Sequence, residues 1–444
     1  MSGYVSKSSG GIFKKLSITV VLLFILLAIG YAAYKLFFIP APVIEGTDAF
    51  KFISSNKTVV LNAKNLKSIV ISISQNGKTA ELLRDVTPIS DKKYSIQVKT
   101  KELQLSDGPA KISIVASSGG FREAKQEIDS VIDTTPPTLD VLMSPYMVTV
   151  GGGGFIAVKS KDADAVFVRL KDYRFEGYKA ADNPGADGAF EYYIFFPVLL
   201  DIVEGGTIHA VAEDMAGNQR VRAVDTKIIG KTYSASSINI SDTFINTAVV
   251  SILNITSTSD PVGSFKEVNE KMRAENVAKL REIAKVTESK MLWEGNFLQM
   301  KNSQVMAKYG DKRDYIYNGR KISESVHLGY DLAANANSPV EAANTGIVRF
   351  AGDLGIYGNT VAIDHGMALM SIYSHLSEIM VKEGDEVKKG AVIARSGATG
   401  FAGGDHLHFG ILIHGHETSP IFWWDTHWLK VNIFDYLEKG NPQT

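Results

Sequence analysis

The segment HLHFGILI, residues 406–413, constrains the local fold more strongly than any other part of this chain. Its side chains alternate in character, and a period of two predicts a β-strand. One face of that strand carries His406 and His408. The other face is apolar and consists of Leu407, Phe409, Ile411 and Ile413. We therefore expect a strand that covers a hydrophobic core on one side and presents two histidines on the other.

A second histidine motif, HLGYD, places His327 four residues before Asp331. In a straight strand the two side chains would share a face but lie roughly 13 Å apart, at about 3.3 Å per residue, which is too far to share one ion. Gly329 lies midway, and a residue without a Cβ permits a bulge or a close backbone approach. The motif predicts a bend at Gly329 that brings His327 and Asp331 together.

These motifs and the histidine of YSHL provide the residue types of a catalytic zinc site. The candidates are His327, Asp331, His375, His406 and His408. Imidazole nitrogen and carboxylate oxygen both bind zinc, and a catalytic site typically has three protein ligands and leaves the fourth position to water. A lone HxH pair is more often a surface feature, so the interpretation depends on all five residues occurring in one β-region. The chain has no cysteine, which excludes thiolate ligands.

The order HLGYD, IDHG, YSHL and GATGFAGGDHLHF resembles the lysostaphin/LytM-type zinc metalloendopeptidases, which cut peptidoglycan cross-links. The resemblance covers roughly residues 309–428 and includes the glycine spacing of VKEGDEVKKGAVIARSGATG. It implies a Zn²⁺ cofactor with His327, Asp331 and His408 as ligands. It also implies that His375 and His406 form the catalytic pair that does not bind metal, and it leaves open which of them is the base.

An apolar run near the N-terminus predicts a membrane anchor. Residues 16–34 contain no charged residue, and about 20 apolar residues match the roughly 30 Å hydrocarbon core of a bilayer. Lysines precede the run, so the positive-inside rule predicts a cytoplasmic tail at 1–15 and a transmembrane helix at 16–38. The chain would then be a single-pass protein of the cytoplasmic membrane with a periplasmic or extracellular catalytic domain. A cleaved signal peptide is the alternative, because the run also contains small residues.

The region between the predicted anchor and the zinc motifs has the pattern of short strands and turns. Ile69, Ile71 and Ile73 alternate with other residues before Asn76-Gly77, which is a hairpin signal. A weak repeat relates SIVISIS to AVFVRL with an offset of 97 residues, and KISIVASSGG to TIHAVAEDMAGN with an offset of 96 residues. This repeat predicts two immunoglobulin-like β-sandwiches, at 39–134 and 135–230. They could be plain spacers or docking surfaces for cell-wall or division proteins.

The remaining segments complete a mainly β chain. A linker with one amphipathic helix is expected at 231–300, either as a connector packed on the catalytic domain or as a lid over the zinc cleft. A β-rich LytM-type peptidase domain is expected at 301–444. With 444 residues and 45% hydrophobic content the chain has room for three domains with real cores. A net charge of −1 provides no electrostatic basis for a nucleic-acid partner.

Three classes of function fit these observations. The first is a membrane-anchored zinc metalloendopeptidase that hydrolyses peptidoglycan stem-peptide cross-links. The second is a non-catalytic LytM-like activator or scaffold for another cell-wall hydrolase, although such relatives usually lack some ligands. The third is a carrier module, because VKEGDEVKKGAVIARSG resembles lipoyl-type hairpins. The carrier interpretation leaves the histidines unexplained, and metal content would separate the first class from the other two.

Overall fold

The computed structural model describes residues 10–86, 91–119 and 122–439. The chain divides into two compact units. One comprises Met1–Pro136 and Asp214–Asn218, and the other comprises Pro137–Glu213 and Gln219–Thr444. Each unit has its own buried hydrophobic clusters.

The first unit consists of a helix and a β-domain built from two sheets. Helix α1 spans Gly10–Phe37. The strands are β1 Val43–Glu45, β2 Phe52–Ile53, β3 Asn56–Lys64, β4 Ser68–Gln75, β5 Lys78–Asp85, β6 Lys92–Lys99, β7 Gly108–Gly119 and β8 Arg122–Ile132, with a 3-10 turn at Thr47–Phe50. The sheets have the orders β1-β3-β6 and β2-β8-β7-β4-β5. Ile69, Ile71 and Ile73 are fully buried, and the β4–β5 hairpin turns at Asn76 and Gly77, both with positive φ.

The predicted membrane anchor is not supported. Within residues 10–86, 91–119 and 122–439, no helix is long and apolar enough to cross a bilayer. The prediction of a transmembrane helix at 16–38 is therefore wrong. A single-pass localisation in the cytoplasmic membrane is not supported either. Residues 1–9 of the predicted cytoplasmic tail lie outside the described residues.

The second unit begins with another group of short strands. They are β9 Asp140–Met143, β10 Met147–Thr149, β11 Gly153–Ser160, β12 Ala165–Leu170, β13 Tyr173–Glu176, β14 Tyr178–Lys179, β15 Phe190–Pro197, β16 Ile208–Glu213, β17 Gln219–Val224 and β18 Lys227–Ile229. Two four-stranded antiparallel sheets, β14-β15-β11-β9 and β13-β12-β16-β17, enclose a core that includes Phe175 and Phe196. Strands β10 and β18 form a separate parallel pair.

The mainly β class is found, but the immunoglobulin-like assignment is not supported. A constant-type immunoglobulin domain has antiparallel sheets of four and three strands. The first region has sheets of three and five strands with a parallel β2–β8 pair, and the second has two sheets of four with the parallel β10–β18 pair. A repeat of alternating segments indicates β-domains but does not specify strand order. The predicted limits at 39–134 and 135–230 remain predictions.

A segment of one strand and two helical runs precedes the last domain. Strand β19, Ala235–Asn239, pairs in parallel with residues 312–316. The helical runs are α2 Asp242–Phe244, a π turn at Ile245–Val249 and α3 Val250–Ile252, then α4 Pro261–Lys266, a π turn at Glu267–Met272 and α5 Arg273–Ile283. The Ser241 hydroxyl and the Asp260 carboxylate cap the two runs by accepting from the backbone N–H of Phe244 and Gly263. We call residues 235–283 the connector.

The C-terminal domain is organised around an eight-stranded sheet. Its elements are β20 Gln304–Ala307, β21 Lys312–Tyr317, β22 Arg320–Val326, β23 Tyr330–Ala333, β24 Pro339–Glu341, β25 Gly346–Asp353, β26 Asn359–Asp364, β27 Leu369–Ser374, β28 Glu378–Ile379, β29 Glu386–Val387, β30 Val392–Arg395, β31 Leu407–Ile413 and β32 His416–Thr418, followed by α6 Ile421–Trp424, α7 Thr426–Leu429 and α8 Asp435–Lys439. A 3-10 turn spans Gly355–Tyr357, and a π turn spans Lys430–Phe434. The main sheet has the order β20-β23-β31-β27-β26-β25-β29, and β32 pairs with β31.

Strand β31 lies between β23 and β27 and is buried along its whole length. Leu407 and Phe409 belong to one hydrophobic cluster, as the alternation predicts. The opposite face is also covered, because Leu412 belongs to a second cluster that includes Phe265 and Leu280 of the connector. The end of that face, where the histidines lie, borders a pocket.

Candidate metal centre

Three side chains converge on one point at the end of the central strands. Nε2 of His327 lies 2.9 Å from Oδ1 of Asp331 and 3.0 Å from Nδ1 of His408. The His408 Nδ1 atom lies 2.9 Å from the same Asp331 oxygen. Each of the three residues therefore contributes one candidate ligand atom, and these atoms are close enough to one another to bind a single metal ion. We call these three residues the donor triad.

Strand register explains how residues so distant in sequence meet. Asp331 on β23 pairs directly with His408 on β31, and Ser374, the residue before His375, pairs with His408 from the other side. His327 lies in the break between β22 and β23. A Cβ added to Gly329 would lie 2.6 Å from Cε1 and from Nε2 of His408. Glycine at this position therefore lets the backbone approach the imidazole ring.

Neighbouring groups orient the donor triad. Nδ1 of His327 lies 3.0 Å from the carbonyl oxygen of Lys308, which can only accept, so Nδ1 carries the proton and Nε2 has a free lone pair. Oδ2 of Asp331 accepts from Nη2 of Arg313 at 3.3 Å. Arg313 also donates to Asp311 at 3.3 Å. Such contacts fix the tautomer and the direction of metal ligands.

The donor chemistry fits zinc. The lone pair of His327 Nε2 faces an Asp331 oxygen, and this contact between two acceptors would be relieved by a cation between them. Two imidazole nitrogens and one carboxylate oxygen match the three-ligand catalytic zinc set, which leaves a coordination position for water or substrate. Zn²⁺ is therefore the cofactor that this centre fits.

His375 and His406 lie beside the donor triad without belonging to it. Their ring centroids are 4.8 Å apart, and that of His375 is 5.8 Å from that of His408. The Nδ1–H of His375 donates to the Thr399 carbonyl at 2.8 Å, and that of His406 donates to the Gly404 carbonyl at 2.8 Å. In the neutral tautomers each Nε2 atom carries a lone pair that can accept a proton, and Nε2 of His406 also lies 3.6 Å from Oδ1 of Asp331.

The backbone of His375 has a φ of 63°, which is unusual for a residue with a Cβ. Its N–H donates to the Tyr357 carbonyl at 2.8 Å, and together with the ring contact to Thr399 this holds the conformation. Backbone strain of this kind is concentrated at functional sites, where the surrounding structure maintains it. The strained backbone places the His375 ring towards the donor triad.

Burial and charge shift the acid–base properties of the site in different directions. Burial, reinforced by the charges of His408 and His406, lowers the pKa of His375 to about 3. Burial also lowers the pKa of His408 to about 4. Burial acts to lower the pKa of His406 as well, but the Asp331 carboxylate outweighs it and raises that pKa. Burial acts to raise the pKa of Asp331, yet the surrounding histidines hold it well below its usual range.

A pocket of about 390 Å³ opens onto these groups. The donor triad, His375 and His406 all line it. The other lining residues are Ile238, Asn239, Ile240, Ser241, Phe244, Arg273, Arg313, Tyr315, Ile356, Tyr357, Phe401, Ala402 and Gly403. One wall of the pocket therefore comes from the connector.

The sequence motifs do not reveal Arg313, Arg273 or Tyr357 as site residues. The two arginines lie on β21 and α5, before the family-like motifs, and no spacing connects them to the histidines. Tyr357 lies in IYGN, and its ring packs edge-on against His408 with a centroid separation of 5.8 Å. Its hydroxyl donates to the buried carboxyl group of Glu417 at 3.2 Å.

The remaining histidines lie outside the donor triad. His365 follows β26 and is fully buried; its Nδ1–H donates to the Thr345 carbonyl at 2.7 Å. The Nε2–H of His414 donates to the Phe195 carbonyl at 3.1 Å. His416 packs edge-on against Tyr173. These rings take part in packing and hydrogen bonding rather than in the candidate centre.

Comparisons with known proteins find similar sequences over the region that contains the site. Residues 325–420 match the model of peptidase family M23. Over 96 residues the chain is 40% identical to the DD-carboxypeptidase/endopeptidase Mpg of Neisseria meningitidis serogroup B, with 22% of each protein covered. Over 95 residues it is 39% identical to the peptidoglycan DD-endopeptidase ShyA of Vibrio cholerae, with 21% of this chain and 22% of ShyA covered. The chain thus spans about a fifth of the length of the curated relatives it matches.

Solved structures with some likeness include a zinc containing peptidase from Vibrio cholerae. It is 15% identical, with 71% of this chain and 81% of that chain covered and a TM-score of 0.28. The catalytic domain of lysostaphin from Staphylococcus simulans is 29% identical, with 29% of this chain and 96% of that chain covered and a TM-score of 0.25.

Proposed function

Starting from a peptidase family M23 domain at residues 325–420, we propose that this chain is a zinc metalloendopeptidase that hydrolyses peptide cross-links of peptidoglycan. The observation that carries the proposal is the convergence of the donor triad with two further imidazoles on one pocket. The named activities of Mpg and ShyA support a DD peptide bond as the target. We favour direct cross-links between stem peptides over glycine bridges.

We assign His327, Asp331 and His408 as the zinc ligands. When bound, the metal supplies Lewis acidity to the scissile carbonyl and to the attacking water. Arg313 keeps Asp331 in place through its contact with Oδ2. The Lys308 carbonyl keeps the lone pair of His327 Nε2 directed at the ion.

We assign His375 and His406 as the catalytic pair. Each ring donates its Nδ1–H to a backbone carbonyl, so each Nε2 is the atom that accepts or returns a proton. Peptide hydrolysis requires removal of a proton from water and delivery of a proton to the leaving amine, and imidazole suits both steps. We assign the pair jointly, because both rings face the same pocket.

Two variants test this assignment on the zinc-loaded full chain with purified peptidoglycan. His408→Ala should lose zinc and hydrolysis together, because it removes one of three ligands. His375→Ala should keep zinc and lose about 10²–10⁴-fold in turnover, because it removes only the proton-transfer group. Zinc content is measured by atomic absorption, and hydrolysis by release of new amino groups. His427→Ala, an exposed histidine on α7, is the control that should match the wild type.

Three parts of the proposal can be contradicted separately: cleavage of peptide bonds, catalytic activity itself and the catalytic role of His375. Release of reducing sugars without new amines would contradict peptide-bond cleavage. A zinc-loaded wild-type chain that releases neither product would favour a non-catalytic activator. Weakened zinc binding with normal turnover at saturating zinc in His375→Ala would make His375 a supporting residue instead of a catalytic one.

A further inference from the structure

The charges that line the pocket are unbalanced. Among the described residues, Asp331 is the one lining residue with a carboxyl group, whereas Arg273 and Arg313 both contribute guanidinium groups. A divalent cation at the donor triad would add further positive charge. A partly enclosed pocket concentrates such a potential and favours anionic ligands.

Arg313 already has carboxylate partners. Its Nη2 donates to Asp331 and its Nε donates to Asp311, both at 3.3 Å. Asp311 is held in turn by the hydroxyls of Ser234 at 2.8 Å and Ser236 at 3.0 Å. Arg313 is therefore committed to supporting the donor triad.

Arg273 differs from Arg313 because its partners are neutral. Its Nε donates to the backbone carbonyl of Asn269 at 3.0 Å, and its Nη2 donates to the side-chain oxygen of the same residue at 2.8 Å. Within the described ranges no carboxylate oxygen lies within 4.0 Å of its guanidinium nitrogens. Arg273 therefore has no ion-pair partner in these ranges, and the buried carboxyl group of Glu417 interacts with its charge only at longer range.

The guanidinium of Arg273 is also held in a fixed position. Its partner Asn269 is 1% exposed, and the Asn269 amide donates to Ser323 Oγ at 2.8 Å and to the Glu324 carbonyl at 3.1 Å. The asparagine cannot rotate without losing these bonds. A fixed guanidinium fork without a carboxylate partner is well suited to carboxylate recognition, because little side-chain entropy remains to be lost on binding.

We propose that Arg273 binds a free carboxylate of the substrate peptide and so selects acidic peptides for the metal centre. This inference rests on the proposed function, because the peptide is the substrate of that same pocket. The interaction would be made through guanidinium N–H groups not used on Asn269. Arg273 is then a specificity-determining residue contributed by the connector.

The test uses cross-linked peptide dimers released from peptidoglycan, either with their carboxylates free or after conversion of these to carboxamides. Arg273→Gln should raise KM for the free-carboxylate dimer by about 10- to 100-fold, the range expected for a lost charge-assisted hydrogen bond. It should leave kcat, zinc content and KM for the amidated dimer unchanged. Arg273→Lys should restore part of the loss, because it keeps the charge without the fork. Lys279→Gln, an exposed cation on the same helix, is the matched control.

An equal change in KM for both dimers would overturn the inference, because Arg273 would then only support Asn269 structurally. An unchanged KM for both dimers would overturn it as well. If the wild type cleaves neither dimer, the proposed function fails, and calorimetric binding of the same two dimers still decides the inference. Weaker binding of only the free-carboxylate dimer to Arg273→Gln would support it. Equal binding to wild type and variant would overturn it.

Discussion

Gly329 is the residue on which the geometry of the donor triad depends most directly. A Cβ there would lie 2.6 Å from two atoms of the His408 ring and 2.8 Å from the Phe409 carbonyl oxygen. The carbonyl belongs to the central strand and cannot retreat without breaking its pairing, so Gly329→Ala should displace His408. We expect zinc affinity to fall by about 10- to 100-fold, as for loss of a group that orients a ligand. Competition with a chromophoric chelator measures this.

Gly352→Ala on β25 is the matched control, because the nearest atom to the added Cβ is Phe350 Cζ at an ordinary 3.7 Å. Its zinc affinity should equal that of the wild type. Wild-type affinity in Gly329→Ala would show that the ring can move aside and that the close approach is not required.

At the scale of single residues, the sequence motifs contain the residues that the structure brings together as the donor triad, but not the groups that support them. His327, Asp331 and His408 lie in short motifs whose spacing has a local meaning on strands. Arg313 reaches Asp331 because β21 and β23 come together in the folded domain, and no pattern in GDKRDY indicates this. The left-handed conformation of His375 is likewise a product of tertiary contacts.

At the scale of elements, the connector shares a hydrophobic core with the C-terminal domain. Phe265 on α4 is fully buried, with its ring centroid 5.0 Å from that of Tyr315 and 5.5 Å from that of Phe401. Phe265→Ala should therefore lower the free energy of unfolding by about 3–5 kcal/mol, the usual cost of removing a buried phenylalanine. Urea unfolding of the zinc-loaded chain, followed by tryptophan fluorescence, measures this loss.

Val286→Ala provides the comparison, since Val286 is 58% exposed and its truncation should change stability by less than about 0.5 kcal/mol. A detachable lid would give a different result. In that case Phe265→Ala would leave the unfolding of the peptidase domain unchanged and would alter only access to the pocket.

Strand β31 and the connector helices show how much of the fold the periodicity of the sequence predicts. Alternation in HLHFGILI correctly predicts that Leu407 and Phe409 face a core. It does not predict that Leu412 is covered as well, because the covering helices lie more than a hundred residues earlier in the chain. Amphipathic spacing identifies a helix in the connector but contains no information about which surface that helix packs against.

At the scale of the whole molecule, local composition predicts neither the membrane topology nor the strand order of the β-regions correctly. The apolar run at 16–34 suggested a membrane anchor, yet no helix in the described ranges meets the length and apolarity of a span. The repeat near residues 69 and 166 indicated two β-regions, but strand order depends on long-range pairing that a repeat does not encode. The C-terminal half was more predictable because its glycines and histidines have specific backbone and chemical requirements.

Stability of the second unit should depend on pH through His365. This ring is fully buried, its Nε2 atom lies 2.7 Å from the Ser371 hydroxyl oxygen, and burial lowers its pKa to about 4. The unfolded chain, with a histidine pKa near 6.5, binds the proton first as pH falls. The His365 contribution to stability is thus fully present above about pH 6.5 and is lost as pH falls through about 4. The loss amounts to about 3 kcal/mol over that interval.

His365→Asn isolates this contribution, because asparagine can still donate to the Thr345 carbonyl but does not titrate. The other histidines remain in both proteins, so their pH effects cancel in the difference between wild type and variant. That difference in unfolding free energy should be largest near neutral pH and should shrink by about 3 kcal/mol towards pH 4. Urea unfolding at several pH values measures this difference. The signal is the fluorescence of Trp293 and Trp423, which belong to the same hydrophobic cluster as Phe297, the ring that contacts His365. A difference that stays constant from pH 8 to pH 4 would show that His365 is not held neutral by burial.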